Sequence, residues 1–230
     1  MEKKHLLALK KCELFDDISL DEISSLVSCL CPVIQNFGRN DFIVKSGDEF
    51  HSIGIVLEGE ASVYKETLSG NRFLINKVQA GEMFGEIAAF AKQKRWPSIV
   101  QANTAVTVCF IPKDKIVGRC CSVCSYHTRL IHNMIGIVSE RALMLRKKID
   151  YISIKTMRSR LCTFLYEYYL NCGTNIFRIQ MNREQLAEFL NVSRPSMSRE
   201  LSRMKDEGII DFHLSTFKIL DLEKLKSYCE

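Results

Sequence analysis

The chain has 230 residues, 47% of them hydrophobic and 26% charged, an ordinary composition for one or two globular domains. No apolar run is long enough to cross a bilayer and the first residues lack a secretory signal, so we expect a cytoplasmic protein without membrane association. Its ten cysteines are then expected to be mostly reduced thiols. The net charge of +5 is spread over residues 1–150 and residues 151–230 alike, so bulk charge is weak support for a nucleic-acid partner.

The first half of the chain changes from a helical to a strand-like pattern. Residues 5–31 have helical spacing, and Ser19 with Glu22 predicts a capping box at the start of a second helix. From Val33 to Pro112, short runs rich in Val, Ile and Phe alternate with glycines. Regular short strands separated by turns indicate a barrel or a double-sheet roll.

The segment GEIAAFAKQKRWPSIVQA, residues 85–102, interrupts these strands. Gly85 and Glu86 begin a short helical stretch that runs from Ile87 to Phe90, and a basic loop follows it up to Arg95. A helix N-terminus beside a basic residue is an anion site in principle. The alternative, which these residues alone favour, is a helical crossover with a solvated basic loop.

A long amphipathic helix is predicted from Ser125 to about Tyr151, after a short helix that begins at Lys113. Its apolar residues recur every three or four positions and form a wide stripe. Such a stripe predicts packing both on its own domain and on a second copy, the alternative being packing within one chain. The predicted dimer interface consists of Ile131, Met134, Ile135, Val138, Ala142, Leu145 and Ile149.

Residues 181–204, MNREQLAEFLNVSRPSMSRELSRM, predict two short helices around a tight turn. Asn182 and Gln185 can form a capping box for the first helix. Ser193 can cap the second helix, and Pro195 is tolerated in its first turn. Beyond the second helix, two short strands are predicted to form a hairpin, the wing of a winged helix.

The second of these helices has one apolar face and one polar face that suits DNA. Arg194 and Arg199 are candidates for reading bases, because an arginine can donate two bonds to guanine in the major groove. Phosphate contacts are predicted for Ser193, Ser196, Ser198 and Arg203. The alternative is an ordinary helical hairpin whose basic face is merely solvated.

Four segments in this order resemble the Crp/Fnr family of bacterial transcription regulators: LFDDISLDEISSL, GDEFHSIGIVLEGEASVYKE, AGEMFGEIAAF and LAEFLNVSRPSMSREL. The resemblance implies an α+β fold, with a double-stranded β-helix (jelly-roll-like) sensor domain over residues 1–124. A dimerisation helix would span residues 125–152 and a winged helix-turn-helix domain residues 153–230. It further implies a homodimer that binds a palindromic promoter site on double-stranded DNA and contacts RNA polymerase. Pro195 stands where the family carries a base-reading glutamate, which implies a different target sequence.

The effector of the sensor domain does not follow from the resemblance. Family members that bind cyclic AMP hold it with a Gly-Glu pair, an Arg-Ser pair and two hydroxyl residues on the long helix. Only the first pair is matched here, so we expect no cyclic AMP binding, because the bidentate phosphate contact of the arginine is lost. The tentative effector pocket comprises Gly85, Glu86, Ile87, Arg95, Trp96, Pro97, Leu145 and Arg146. An unknown small-molecule effector and a cyclic-nucleotide-responsive activator remain the alternatives, and no cofactor is predicted.

The cysteines suggest an alternative function, a redox-sensing or iron–sulfur regulator. The oxygen-sensing branch of the family carries an iron–sulfur cluster on four cysteines. This chain has two groups of cysteines, and the spacing of neither group matches that branch. We therefore expect the cysteines to pack as small hydrophobic residues, with a thiol redox switch at Cys120, Cys121 or Cys124 as the alternative. The two groups are Cys12, Cys29 and Cys31, and Cys120, Cys121 and Cys124. We predict neither a metal site nor catalytic residues, and therefore a regulator that is not an enzyme.

Overall fold

The computed structural model describes residues 1–67, 69–92, 95–118 and 125–229. These residues form two compact units, Met1–Glu140 and Arg141–Glu230. Within the described ranges, no helix combines the length and the apolar character that a membrane span requires.

Short helices precede, interrupt and follow the strands of the first unit. Ser19 accepts a hydrogen bond from the backbone N–H of Glu22, and the Glu22 carboxylate accepts one from the backbone N–H of Ser19. The predicted capping box is therefore confirmed. The helices are α1 (Lys3–Lys10), a 3-10 turn (Glu13–Phe15), α2 (Leu20–Leu30), α3 (Glu86–Phe90), α4 (Lys113–Val117) and the long α5 (Ser125–Ser153), which continues into the second unit.

The predicted double-sheet roll is confirmed. The strands are β1 (Val33–Phe37), β2 (Phe42–Val44), β3 (Ser52–Glu58), β4 (Glu60–Glu66), β5 (Arg72–Gln79), β6 (Met83–Phe84), β7 (Ile99–Ala102) and β8 (Val106–Pro112). They form two four-stranded antiparallel sheets with the strand orders β1-β8-β3-β6 and β2-β7-β4-β5. Gly70 adopts a φ of 81° in the turn between β4 and β5.

Strand β3 is buried on both faces. Ile53 and Ile55 pack into a core shared with helices α1, α2 and α5, whereas Val56 packs into a second core between the two sheets. Alternate residues of a strand point to opposite faces of its sheet. This strand therefore reads as a continuous apolar run rather than as an alternating pattern.

The N-terminal half of α5 is attached to the 3-10 turn by polar contacts. Asn133 donates from Nδ2 to the carbonyl oxygens of Leu14 at 3.1 Å and Asp16 at 2.9 Å. Arg129 donates to the carbonyl oxygen of Asp17. Leu130 on the same helix is fully buried in the core. This half of the helix is thus fixed by both apolar packing and hydrogen bonds to the main chain.

The second unit is a helical domain closed by a three-stranded antiparallel sheet, in which β11 (Thr216–Ile219) lies between β10 (Ile210–His213) and β9 (Ile176–Arg178). Its core includes Tyr151, whose ring lies 5.8 Å from that of Phe164 and 5.4 Å from that of Phe189. The predicted helix-turn-helix and wing are both present. The elements are α6 (Met157–Cys172), β9 (Ile176–Arg178), α7 (Arg183–Phe189), α8 (Arg194–Asp206), β10 (Ile210–His213), β11 (Thr216–Ile219) and α9 (Leu222–Ser227).

Candidate nucleic-acid interface

Helix α7 begins with the capping box that the sequence predicts. The Asn182 side chain accepts bonds from the backbone N–H groups of Glu184 at 3.0 Å and Gln185 at 2.9 Å. The Gln185 side chain returns the contact by accepting from the backbone N–H of Asn182 at 2.8 Å. These bonds satisfy amide groups that a helix start leaves without partners, and they fix where the helix-turn-helix begins.

The turn between α7 and α8 has the residue types that its geometry requires. Asn191 has a φ of 52°, which asparagine tolerates better than most residues. Ser193 caps α8 by accepting from the backbone N–H of Ser196 at 3.3 Å. Pro195 lies in the first helical turn, where its missing N–H costs nothing. Local chemistry therefore determines the start of α8.

Helix α8 buries one face and exposes the other. Met197, Leu201 and Met204 are fully buried in the core of the second unit. Ser196, one of the predicted contact residues, is half-buried. The other predicted contact residues are exposed, namely Ser193, Arg194, Pro195, Ser198, Arg199 and Arg203. The predicted contact face is therefore open to a partner.

Arg199 is oriented by two serines on this face. It donates from Nη2 to the Ser196 hydroxyl at 3.1 Å. The Ser193 hydroxyl lies 2.8 Å from the same Ser196 oxygen. This chain of hydrogen bonds restricts the guanidinium before any partner binds, which lowers the entropic cost of an ordered contact.

Arg158 on α6 forms ion pairs with Glu200 of α8 and with Glu207 at the end of that helix. The sequence did not predict this contact. The Nε of Arg158 donates to a Glu200 oxygen at 2.6 Å, and its two terminal nitrogens donate to the Glu207 carboxylate at 2.8 and 2.7 Å. The guanidinium also lies 5.0 Å from the Tyr228 ring centre. The hydrogen bonds to Glu207 and Glu200 raise the pKa of Arg158. Glu200 and Glu207 are seven residues apart, a spacing that places both on one helix face. The spacing does not indicate that Arg158 is the cation that binds them.

Two cations attach the wing, the hairpin of β10 and β11, to the helix-turn-helix. The sequence did not predict this role for either of them. The Arg183 guanidinium lies 4.7 Å from the Phe212 ring centre and 4.8 Å from that of Phe217. Burial lowers the pKa of Arg183. Lys205, near the end of α8, pairs with Asp211 of β10 at 2.7 Å. The hairpin therefore has a defined position relative to both helices.

The structure brings Gly85 and Trp96 of the tentative effector pocket together in an aromatic cluster. Trp96 is 6% exposed, and its ring lies 4.9 Å from that of Phe50 and 6.3 Å from that of Phe84. Gly85 has a φ of 90°, and a Cβ atom there would approach Phe50 Cε1 to 2.5 Å. Side chains of the protein thus fill this part of the roll.

The other predicted pocket residues of the first unit add no buried cation or hydroxyl group to this cluster. Arg95 is exposed, as is Pro97, whose carbonyl oxygen accepts a bond from Lys65 Nζ at 3.2 Å. Glu86 is buried, whereas Ile87 is 49% exposed. Leu145 and Arg146 are exposed on the part of α5 that belongs to the second unit. No guanidinium among the described pocket residues of the first unit is buried.

The predicted dimer surface needs one correction. Met134 is 3% exposed and lies in the core of the first unit, so its side chain has little area left for a second copy. Ile131 and Val138 are half-buried, whereas Ala142 is exposed. The largest free apolar surfaces among the predicted residues are those of Ile135 (61% exposed), Leu145 (55%) and Ile149 (63%).

The three described cysteines of the predicted groups differ in burial. Cys12 is fully buried, and its burial raises the pKa of the thiol to about 12. Cys29 is half-buried and Cys31 is exposed. Cys120, Cys121 and Cys124, the residues of the hypothetical redox switch, lie outside the described residues. Among the residues that are described, no three His, Cys, Asp or Glu side chains are grouped as metal ligands.

Comparison with known proteins assigns both parts of this architecture. A cyclic nucleotide-binding domain model matches residues 34–120, and a Crp-like helix-turn-helix domain model matches residues 159–228. The fumarate and nitrate reduction regulatory protein of Vibrio cholerae is 25% identical over 222 residues, covering 91% of this chain and 82% of that protein. The cyclic AMP receptor protein of Thermus thermophilus is 20% identical over 218 residues, covering 95% and 97% of the two chains.

Structural comparison gives the same fold. The crystal structure of the Thermus thermophilus catabolite activator protein superposes with a TM-score of 0.53 at 19% identity, covering 94% of this chain and 97% of that one. Sensor roll, long helix and winged helix-turn-helix thus occur here in the order that the sequence resemblance implied. The chain belongs to the Crp/Fnr family of DNA-binding transcription regulators.

Proposed function

We propose that the protein regulates transcription as a homodimer that binds a palindromic promoter site and contacts RNA polymerase there. The observation that carries this proposal is the free face of α8, which exposes Arg194, Arg199 and Arg203 while the opposite face is fully buried. A helix of this kind fits the major groove of B-DNA, and its N-terminal residues meet the base edges. This role requires no catalytic step and no bound cofactor.

Each contact residue has a role set by its chemistry. Arg194 and Arg199 lie in the N-terminal half of α8 and would each donate two bonds to a guanine. Ser193, Ser196, Ser198 and Arg203 flank them and would bind phosphates, which fix register without reading sequence. Pro195 has no acceptor for a cytosine amino group. The preferred site is therefore expected to differ from those read by relatives with glutamate at this position.

Two copies are needed because half-sites in such operators lie about one helical turn, roughly 34–36 Å, apart. The exposed apolar residues of α5, including Ile135, Leu145 and Ile149, would supply the contact between copies. An apolar patch on one long helix is expected to be covered in the working state. This surface supports a dimer that presents two copies of α8.

We also propose that the sensor roll does not respond to cyclic AMP. A cyclic phosphate in a protein interior needs a charged donor, and guanidinium is the most suitable one. Here the buried side chain is Trp96, while Arg95 is exposed. An effector of this roll, if one exists, must be of a different chemical kind.

Selection of bound duplexes from a random pool tests the DNA-binding proposal. We expect a palindromic consensus whose two halves are recovered together, and binding of one dimer per duplex in sedimentation. Recovery of no consensus at moderate salt would contradict the proposal. The matched charge control is Arg39→Ala, because Arg39 is an exposed arginine of the first unit and should not alter the consensus.

Calorimetry with cyclic AMP and cyclic GMP tests the proposal about the roll. We expect no saturable heat at micromolar nucleotide. If either nucleotide gives a saturable isotherm at micromolar concentration and also enhances DNA binding, the protein is a cyclic-nucleotide-responsive activator.

A further inference from the structure

The backbone of Trp96 is fixed to the turn that precedes β3. Its N–H donates to the Asp48 carbonyl oxygen at 2.9 Å, and its carbonyl oxygen accepts from the Gly47 N–H at 2.8 Å. The preceding residue, Arg95, forms an antiparallel bridge with Glu49. The segment that carries Trp96 is therefore paired with that turn on both sides of the tryptophan.

The indole ring of Trp96 packs among three phenylalanines. It lies 4.9 Å from the ring of Phe50 and 6.3 Å from that of Phe84, and Phe110 lies 6.4 and 6.2 Å from these two rings. No described residue accepts a hydrogen bond from the buried indole Nε1. A buried donor without an acceptor lowers stability. The cluster therefore uses the volume and the faces of the ring, and not its N–H group.

The same ring lies against the main chain at the start of α3. A Cβ atom at Gly85 would approach Trp96 Cζ3 to 3.3 Å. Gly85 is the N-cap of α3, and its carbonyl oxygen accepts a hydrogen bond from the Ala89 N–H at 2.8 Å. The position of the indole therefore determines where the main chain of α3 begins.

Helix α3 connects the aromatic cluster with the core that holds the first part of α5. Ala88 packs against the core that contains Trp96, whereas the next residue, Ala89, is buried in the core that contains Leu130 and Met134 of α5. Packed interiors have low compressibility and transmit displacements between neighbours. A change at Trp96 is therefore felt at α5, the helix that carries the proposed dimer surface.

We infer that Trp96 is a built-in ligand of the roll, whose indole holds α3 and α5 in the arrangement that binds DNA without any added effector. An effector acts by stabilising one conformation over another, and a covalently attached ring in the tentative effector pocket does so permanently. The DNA-binding state is then constitutive. This inference rests on the proposed function, because α5 pairs the two copies of α8 that bind DNA.

The first test uses the protein without substitutions and a duplex recovered by the selection. Adding the small-molecule fraction of a cell extract should change the Kd by less than about twofold, because the competent state is already populated. Trp96 is the only tryptophan of the chain, so its fluorescence reports on this cluster and should stay constant as well. Stimulation of DNA binding by the extract would overturn the inference. So would a compound released in a one-to-one ratio when the protein is denatured.

The second test removes the ring and then supplies it as a free molecule. Trp96→Gly should weaken DNA binding by about tenfold or more, while circular dichroism shows that the helices are retained. Apolar cavities left in a protein core can bind small aromatic molecules, so added indole should restore the Kd to within about threefold. Indene, which has the same fused rings but no N–H, should restore it equally because the N–H has no acceptor.

Val100→Gly is the matched control. Val100 is fully buried in the same core, on β7 between Val44 and Val63 of the neighbouring strands. The variant should unfold at a lower temperature, yet its Kd should stay within about twofold of the parent value and should not respond to indole. An equal loss of DNA binding in both variants would overturn the inference by assigning Trp96 to general stability.

The remaining outcomes are also decisive. Parent-like DNA binding by Trp96→Gly, or a loss that neither indole nor indene reverses, would overturn the inference. The first test needs no variant and decides the question if Trp96→Gly does not fold. A protein without substitutions that binds no selected duplex, with or without the extract, would instead contradict the proposed function.

Discussion

The guanidinium of Arg160 joins the helix-turn-helix to the long helix by donating to the carbonyl oxygen of Leu190 at 3.3 Å. The same group donates from Nε to the carbonyl of Ile154 at 2.9 Å and from Nη2 to that of Ile152 at 3.1 Å. Leu190 caps α7, and Ile152 lies in the last turn of α5. One side chain thus links the end of the long helix to the turn that positions α8.

Arg160→Lys should destabilise the second unit by about 1–2 kcal/mol, because an ammonium group cannot reproduce the planar set of donors. DNA affinity should fall as well, since the turn before α8 loses its support. Urea unfolding and duplex titration measure the two effects. Arg39→Lys provides the control at an exposed arginine of the first unit, and equal effects at both positions would contradict the linking role of Arg160.

Arg158→Met should destabilise the second unit by about 2 kcal/mol, because the 13% exposed Glu200 side chain would be left without its principal donor. The control is Arg203→Met. Arg203 is 71% exposed and lies 3.6 Å from Glu200, so its loss should barely change stability. Urea midpoints at constant m-value distinguish the two variants. Equal midpoints for both variants would show that the contact of Arg158 with Glu200 does not stabilise the fold.

Stability should fall in acid through Glu207. The hydrogen bonds from Arg158 hold the pKa of Glu207 below its usual 4.5. A depressed pKa in the folded state means that the stabilisation is present above the usual value and is lost as the pH falls through the lower one. Thermal unfolding followed from about pH 6 to about pH 3 measures this loss. Glu207→Gln should show a weaker dependence on pH over that window, and an identical profile would refute the assignment.

Arg199→Ala and Arg203→Ala should affect DNA binding in different ways. The first should cost about 1–3 kcal/mol and relax the preference at one base position. The second should weaken all sequences similarly and reduce the salt slope by about one. Binding of each variant to a set of single-base operator mutants, at several salt concentrations, separates the two. An unchanged base preference for Arg199→Ala would argue against base reading by this residue.

Ile149→Glu should weaken the dimer, because Ile149 is 63% exposed and a second copy would bring like charges together. The fold of the monomer should be retained, since this side chain contributes little to its own core. Met134→Glu is the contrasting variant: it buries a charge in the first unit and should unfold it. Sedimentation and circular dichroism together distinguish these results. An undiminished dimer mass for Ile149→Glu would place the interface elsewhere.

The features that sequence predicted best depend on neighbours in the chain. The capping boxes at Ser19 and Asn182 and the cap at Ser193 follow from residues three positions apart, so their chemistry is visible in the sequence. The buried face of α8 follows from helical periodicity in the same way.

Contacts between distant segments could not be predicted. Met134 and Ile135 are adjacent members of one wide apolar stripe, and only the docking of α5 on residues 14–17 decides which of them is buried. The packing of Trp96 on Phe50 and the bonds from Arg158 to Glu207 likewise depend on tertiary structure.

The attachment of α5 to the turn near Leu14 uses main-chain oxygens as acceptors for both Asn133 and Arg129. Every amino acid carries that oxygen, so these hydrogen bonds do not depend on which side chains the turn bears. The exposed side chain of Asp16 can therefore vary without loss of the attachment, whereas Leu14 is also held by its burial in the core. Inserting or deleting a single residue would shift the oxygens out of reach, so the length of this turn is expected to be preserved.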